Sequence, residues 1–273
     1  TIPFYHAWRA GALASGADIK FLNSAANQNF LPNLAAVDAD LLARTTILYL
    51  CSPTNPHGSV MDLDYLKRVL TLARQHDFLV VMDECYSDIW RHAPPPGMIE
   101  AAAALANDLP NQDPLRNLVV LNSLSKRSSA AGLRAGFMVG DCTVIEQYLK
   151  IVANGGGLVP NPLLEVAADL YDDDDHVAAI RSYYNANFEV AAAHLNITPP
   201  EGGFFLWLKV DDDIDFVQRL MAEQSVRALP GSFMAAMTEE GNPGAGYVRL
   251  ALVHDLACTD MALARVAKIY RQR

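Results

Sequence analysis

The 273-residue chain is short of several things, and each shortage narrows what it can be. It has four cysteines, Cys51, Cys85, Cys142 and Cys258, widely spaced and with no CxxC pair. In a chain of this size they read as reduced thiols in a cytoplasmic protein, not as a disulfide framework. No apolar run approaches the roughly 20 residues that a membrane helix needs. The opening residues, TIPFYHAWRA, carry neither a basic n-region nor an apolar h-region, so no signal peptide is expected. They also lack an initiator Met and begin mid-pattern, and the chain is expected to be a piece of something longer. Basic residues are outnumbered: 21 Lys and Arg against 31 Asp and Glu give a net charge of −10. That balance argues against a nucleic-acid or anionic-membrane surface. The histidines are scattered without metal-ligand spacing, and the Asp runs at 172–175 and 211–213 lack the glycine of a calcium loop, so no metal is expected.

What the chain does have is apolar residues, 51% of the total against 19% charged, enough for a substantial core. In the first half, short apolar runs alternate with helical spacing. Strands are expected at 19–22, 46–51, 78–82, 118–121 and 137–139, and helices at 8–17, 34–44, 62–76 and 98–107. Strand, helix, strand in succession predicts an α/β fold, a mostly parallel sheet with helices on both faces. Past Gly140 the pattern changes. Helices are expected at 144–153, 162–171, 177–195, 216–224 and 261–271, with strands at 204–210 and 247–253. This reads as a smaller α+β domain. The expected division is a large domain at 1–185 and a small one at 186–273.

The stretch 117–140, NLVVLNSLSKRSSAAGLRAGFMVG, is the centre of the functional reading. Two apolar strands bracket a turn that carries Ser123, Ser125, Lys126 and Arg134. A lysine between core strands is costly without chemistry to do or a partner to meet. Two hydroxyls and a second cation suggest an anion, most simply a phosphate. A lysine beside a phosphate suggests pyridoxal 5′-phosphate (PLP), held as a Schiff base. A surface Lys-Arg pair in a Ser-rich turn is the plain alternative. Ligand sites in parallel sheets lie beyond the carboxyl ends of the strands. Asn55, then Asp83 with Tyr86, then 123–126 all fall at such ends.

Taken in order, SPTNPHG, DECYS, SLSKRSSAAGLRAGF, PEGGFFLW and NPGAGYVRLAL resemble the PLP-dependent aminotransferases of fold type I, the class I/II group. Within that group, PFYHAWRAGALASGADIKFLNS, DECYSDIW and SLSKRS look most like bacterial succinyldiaminopimelate aminotransferases. The resemblance implies that Lys126 carries the cofactor and moves the proton at the substrate's α-carbon. It implies that Asp83 pairs with the pyridine nitrogen. Tyr86 and Asn55 would hydrogen-bond the phenolic oxygen, and Ser123, Ser125 and Arg134 would hold the phosphate. Tyr5 would stack on the ring, and Arg249 would grip the substrate α-carboxylate. It further implies small amino-acid and 2-oxo-acid substrates and a homodimer. The sequence departs from the group at His57, where Thr is usual and little effect is expected, and at Ser129-Ala130-Ala131, where Asn-Val-Pro is commoner. The group's Gly-rich phosphate-binding helix start would lie upstream of Thr1. Arg9, Arg91 and Arg127 are candidates for a second substrate carboxylate. Another aminotransferase, a PLP C–S lyase and a catalytically silent fragment are the alternatives.

Overall fold

The computed structural model describes residues 3, 6–24, 26–106, 113–239 and 241–271. Helix α1 (His6–Ala14) comes first. Residues 19–22 form no strand: Lys20 interrupts the apolar run and pairs with Asp18 at 3.2 Å, while Phe21 turns edge-on to Trp8 of α1. The helix expected at 34–44 is split. A 3₁₀ turn, Leu34–Ala36, precedes α2 (Ala39–Arg44), because Asp38 takes an extended backbone and its carboxylate caps the Leu41 N–H.

Strand β1 (Ile47–Cys51) leads through a turn to α3 (Leu63–His76), whose N-terminus Asp62 caps as its sequence position predicts. Then follow β2 (Leu79–Asp83), α4 (Met98–Ala106), β3 (Leu118–Ser123), the one-turn α5 (Leu124–Arg127) and β4 (Gly136–Gly140). Helices α6 (Cys142–Gly155), α7 (Asn161–Asp172) and α8 (Asp175–Leu195) are next. The chain finishes with β5 (Phe205–Lys209), α9 (Asp213–Gln224), the short β6 (Leu229–Pro230), β7 (Tyr247–Ala251) and α10 (Leu256–Tyr270). None of these helices is long and apolar enough to cross a membrane.

The chain folds as two compact units. One comprises Leu34–Pro53 and Val60–Ile180. Its sheet has the order β1-β2-β3-β4, with the first three strands parallel and β4 antiparallel at the edge. The inner strands are aliphatic on both faces because helices cover both: Val80, Met82 and Leu118 are fully buried, as are Leu66 and Leu70 of α3 and Met98 of α4. Gly136 lies so close to the Asn122 carbonyl that a Cβ there would collide with it.

The other unit comprises the described residues up to Asn33, the turn Thr54–Ser59 and Arg181–Arg273. It is built on the antiparallel sheet β5-β7-β6, whose core includes Phe188, Leu206, Leu220, Val248 and Leu263. The turn belongs here for a local reason. Gly58, at φ +70, accepts the Gly202 N–H at 2.9 Å, and a side chain at 58 would strike the Gly202 carbonyl and Pro200. The units are therefore not contiguous in sequence, whereas the 1–185 and 186–273 division is.

Candidate active site

In the first unit the polar residues singled out above gather at the carboxyl ends of β2 and β3. Asp83 ends β2 and is 9% exposed. Its Oδ2 accepts the Tyr49 O–H at 2.6 Å and its Oδ1 accepts the Cys85 N–H at 3.1 Å. Parallel register pairs Tyr49 with Val81 and Cys51 with Asp83, so the Tyr49 ring shares the carboxylate's face of the sheet. Burial pushes the Tyr49 phenol well above its usual range, and the charge and hydrogen bond of Asp83 push it further. The Cys85 thiol is raised for the same reasons, with the Lys126 charge opposing. Both groups stay protonated and face Asp83 as donors.

Lys126 sits on α5, directly after β3, with Nζ 5.9 Å from the centroid of the buried Tyr86 ring. Ser123 caps α5: its Oγ accepts the Ser125 N–H at 3.1 Å and donates to Ser125 Oγ at 2.9 Å. The two hydroxyls are thus one linked pair. Ser123 Oγ also lies 3.4 Å from the Ala135 carbonyl, next in chain to Arg134. Arg134 is exposed, takes a left-handed backbone at φ 55, and donates to the Ala131 carbonyl at 3.1 Å.

Arg127 is a correction. Proposed from the sequence as a substrate contact, it is buried and engaged: Nη2 donates to Asp174 at 2.9 Å and to the Tyr171 carbonyl at 2.9 Å, and Nη1 to Asp88 at 3.3 Å. The guanidinium anchors α5 to the start of α8. Glu84 is likewise structural, accepting the Met98 N–H at 2.7 Å at the start of α4. Tyr5 lies outside the described residues.

In the second unit Arg249 lies on β7, in register with Trp207 of β5. Its Nη1 donates to Asn55 Oδ1 at 3.1 Å, and its Cζ stands 4.4 Å from the Phe205 ring centroid. Arg249, on a strand otherwise apolar save for Tyr247, thus has an amide acceptor and an aromatic face beside it. His57 is buried, stacked on Phe30 at 4.3 Å and edge-on to Trp207 at 5.4 Å. Burial alone lowers it to about 3, so it is a neutral ring at ordinary pH. Its Nε2 is buried with no hydrogen-bond partner among the described residues.

Tyr49 and the aromatic pair Phe205 and Trp207 were not singled out from the sequence. Tyr49 had a readable signal, a phenol in an otherwise aliphatic strand two residues before the position level with Asp83. Among the described residues no group of carboxylates, histidines and cysteines could hold a metal.

The aminotransferase class I and II family profile matches residues 1–266, and the chain belongs to that family. The family is PLP-dependent. The structure resembles that of an aminotransferase from Neisseria meningitidis with a TM-score of 0.90 at 36% identity, covering 98% of this chain and 68% of that one. A probable aminotransferase of Mycobacterium tuberculosis is 31% identical over 211 residues, 76% of this chain and 47% of the relative. An LL-diaminopimelate aminotransferase of Nitratidesulfovibrio vulgaris is 25% identical over 278 residues, 98% of this chain and 68% of the relative. The chain thus spans between about half and two thirds of the length of these relatives. The residues present suit the family's cofactor: a carboxylate ringed by donors at a strand end, an amine beside a buried phenol, and paired hydroxyls close in chain to a guanidinium.

Proposed function

We propose that this chain is the PLP-binding core of an aminotransferase that moves an amino group between N-succinyl-LL-2,6-diaminopimelate and 2-oxoglutarate or glutamate, in lysine biosynthesis. The observation that carries the PLP part is the grouping of Asp83, Tyr86 and Lys126 at neighbouring strand ends. The substrate part rests on the motif likeness and on the diaminopimelate-named relative, and it is the finer claim. The reading includes a large PLP-binding domain at 1–185, a small domain at 186–273, a cytoplasmic location read from the widely spaced cysteines, and the homodimer that the family resemblance implies.

When bound, PLP supplies an aldehyde that condenses with amines and a ring that accepts the electron pair released at the substrate's α-carbon. The chain supplies the rest. Lys126 Nζ holds the cofactor between turnovers and moves the proton at the α-carbon. Asp83 would pair with the ring nitrogen and hold its proton. Tyr86 O–H would donate to the phenolic oxygen; the family resemblance implies the same role for the Asn55 side-chain amide and a stacking role for Tyr5. Ser123 and Ser125 Oγ with the Arg134 guanidinium hold the phosphate. Arg249 takes the substrate α-carboxylate in its fork, steadied by Asn55 and Phe205.

Substrate profiling of the complete protein tests the finer claim. Preference for succinyldiaminopimelate with 2-oxoglutarate supports it. Preference for an aromatic amino donor, or release of pyruvate and ammonia from cystathionine, replaces it with another aminotransferase or a C–S lyase. Titration of the 273-residue chain with PLP tests the silent-fragment alternative: weak or absent binding is expected unless upstream sequence is restored, and tight binding would overturn that.

A further inference from the structure

We propose that Tyr49 is a positioning residue that acts through Asp83 to set the protonation state of the bound cofactor. The proposal rests on the PLP reading above and goes beyond it, because Tyr49 belongs to none of the motifs that carry the family resemblance.

Three observations support it. The Tyr49 O–H to Asp83 Oδ2 bond, at 2.6 Å, is shorter than the 3.1 Å bond from the Cys85 N–H, and it loads the oxygen opposite the one held by that amide. The geometry is fixed by the main chain, since β1 and β2 are hydrogen-bonded neighbours in parallel register and both residues sit on one face. The phenol is also a permanent donor: burial and the facing carboxylate keep it protonated at any working pH. The titratable groups around Asp83 are Tyr49 and, in register with Asp83, Cys51 on β1, and Glu84 and Cys85 directly after β2, with Lys126 acting on Cys85; of these Tyr49 and Cys85 are donors to the carboxylate, and Glu84, engaged by the Met98 N–H, is not.

Donors on a carboxylate favour its charged form. Asp83 is proposed to share a proton with the ring nitrogen. Removing the phenol makes Asp83 the stronger competitor for that proton and leaves the ring less positive. A less positive ring raises the basicity of the conjugated nitrogen that joins the cofactor to Lys126. The pH midpoint of the bound cofactor's visible absorbance should then rise.

The experiment uses the complete protein loaded with PLP. Tyr49→Phe is expected to raise the absorbance midpoint by about one pH unit. Replacing Tyr49 alone by 3-fluorotyrosine, a stronger donor of the same shape, is expected to lower it. A merely structural role would change the urea midpoint and leave the absorbance midpoint where it was. An unchanged absorbance midpoint in both variants, with cofactor bound, overturns the proposal. If Tyr49→Phe does not fold, the fluorotyrosine arm alone decides, and no shift there overturns it. If the unaltered protein takes up no PLP, the cofactor reading itself fails, and this proposal fails with it.

Discussion

Lys126 and Arg249 are both half-buried cations, and the two regions around them are built on opposite lines. Lys126 stands among groups that donate and accept protons: a carboxylate at the end of β2, a thiol, and two phenols, Tyr49 and Tyr86. Arg249 stands among rings, with Phe205 at 4.4 Å, Trp207 across the strand pair and one amide acceptor. The imidazole edge-on to Trp207, His57, is driven neutral by burial. The first region can move a proton. The second can hold a charge that never titrates, which is what gripping a carboxylate requires.

Charge-conserving exchanges test that contrast most severely. Lys126→Arg keeps the positive charge but removes the nucleophilic amine, and turnover should fall on the order of a thousandfold or more. Steady-state kinetics on the complete protein, with bound-cofactor absorbance alongside, would show it. Retained transamination in this variant or in Lys126→Ala would end the PLP reading. The next largest effect is on stability and belongs to the neighbouring residue. Arg127→Ala removes a buried guanidinium that ties together Asp88, Asp174 and the Tyr171 carbonyl, and should cost roughly 3 kcal/mol in urea unfolding. Because Asp174 is well exposed and can be rehydrated, Asp174→Asn should cost much less than Arg127→Ala.

That pair of residues also shows how far the sequence could be read. Lys126 was legible because lysine between core strands has few uses, and the strand–helix alternation put it at a carboxyl end with Asp83 and Tyr86. The α/β architecture followed from the same alternation, since covered parallel strands must be aliphatic on both faces. Arg127 was not legible. Its partners lie 39 and 47 residues away, on segments whose packing no local pattern encodes. The turn Thr54–Ser59 was read as a strand-end loop, and its place with the C-terminal unit depends on the close approach of Gly58 to Gly202. Ser123 was read only as a phosphate ligand, whereas its hydroxyl also caps α5, an N-cap role its position before a helix could have signalled.

Arg249→Lys sharpens the comparison from the other side. It keeps the charge and loses the planar fork that donates to Asn55 and stacks on Phe205. The expected outcome is a rise of about tenfold or more in KM for the amino donor, with kcat far less affected than in Lys126→Arg. A loss of kcat as large as that of Lys126→Arg would mean that the aromatic region also takes part in proton movement, and the contrast would break.

The smallest effect concerns His57, and it is read in pH dependence. Burial lowers the folded imidazole to about 3, while in the unfolded chain it titrates near 6.5. Between those values the unfolded chain binds a proton that the folded protein refuses. His57 therefore costs nothing above about pH 6.5, and its penalty grows as pH falls towards 3, with a slope of up to about 1.4 kcal/mol per pH unit. His57→Phe keeps a ring between Phe30 and Trp207 and removes the titration. Urea unfolding from pH 7.5 down to 4.5 should show the variant losing stability less steeply than the parent on acidification, by about that slope. Parallel curves would mean that His57 is protonated in place, with a charge accommodated among the rings, and the second region would then titrate as the first does.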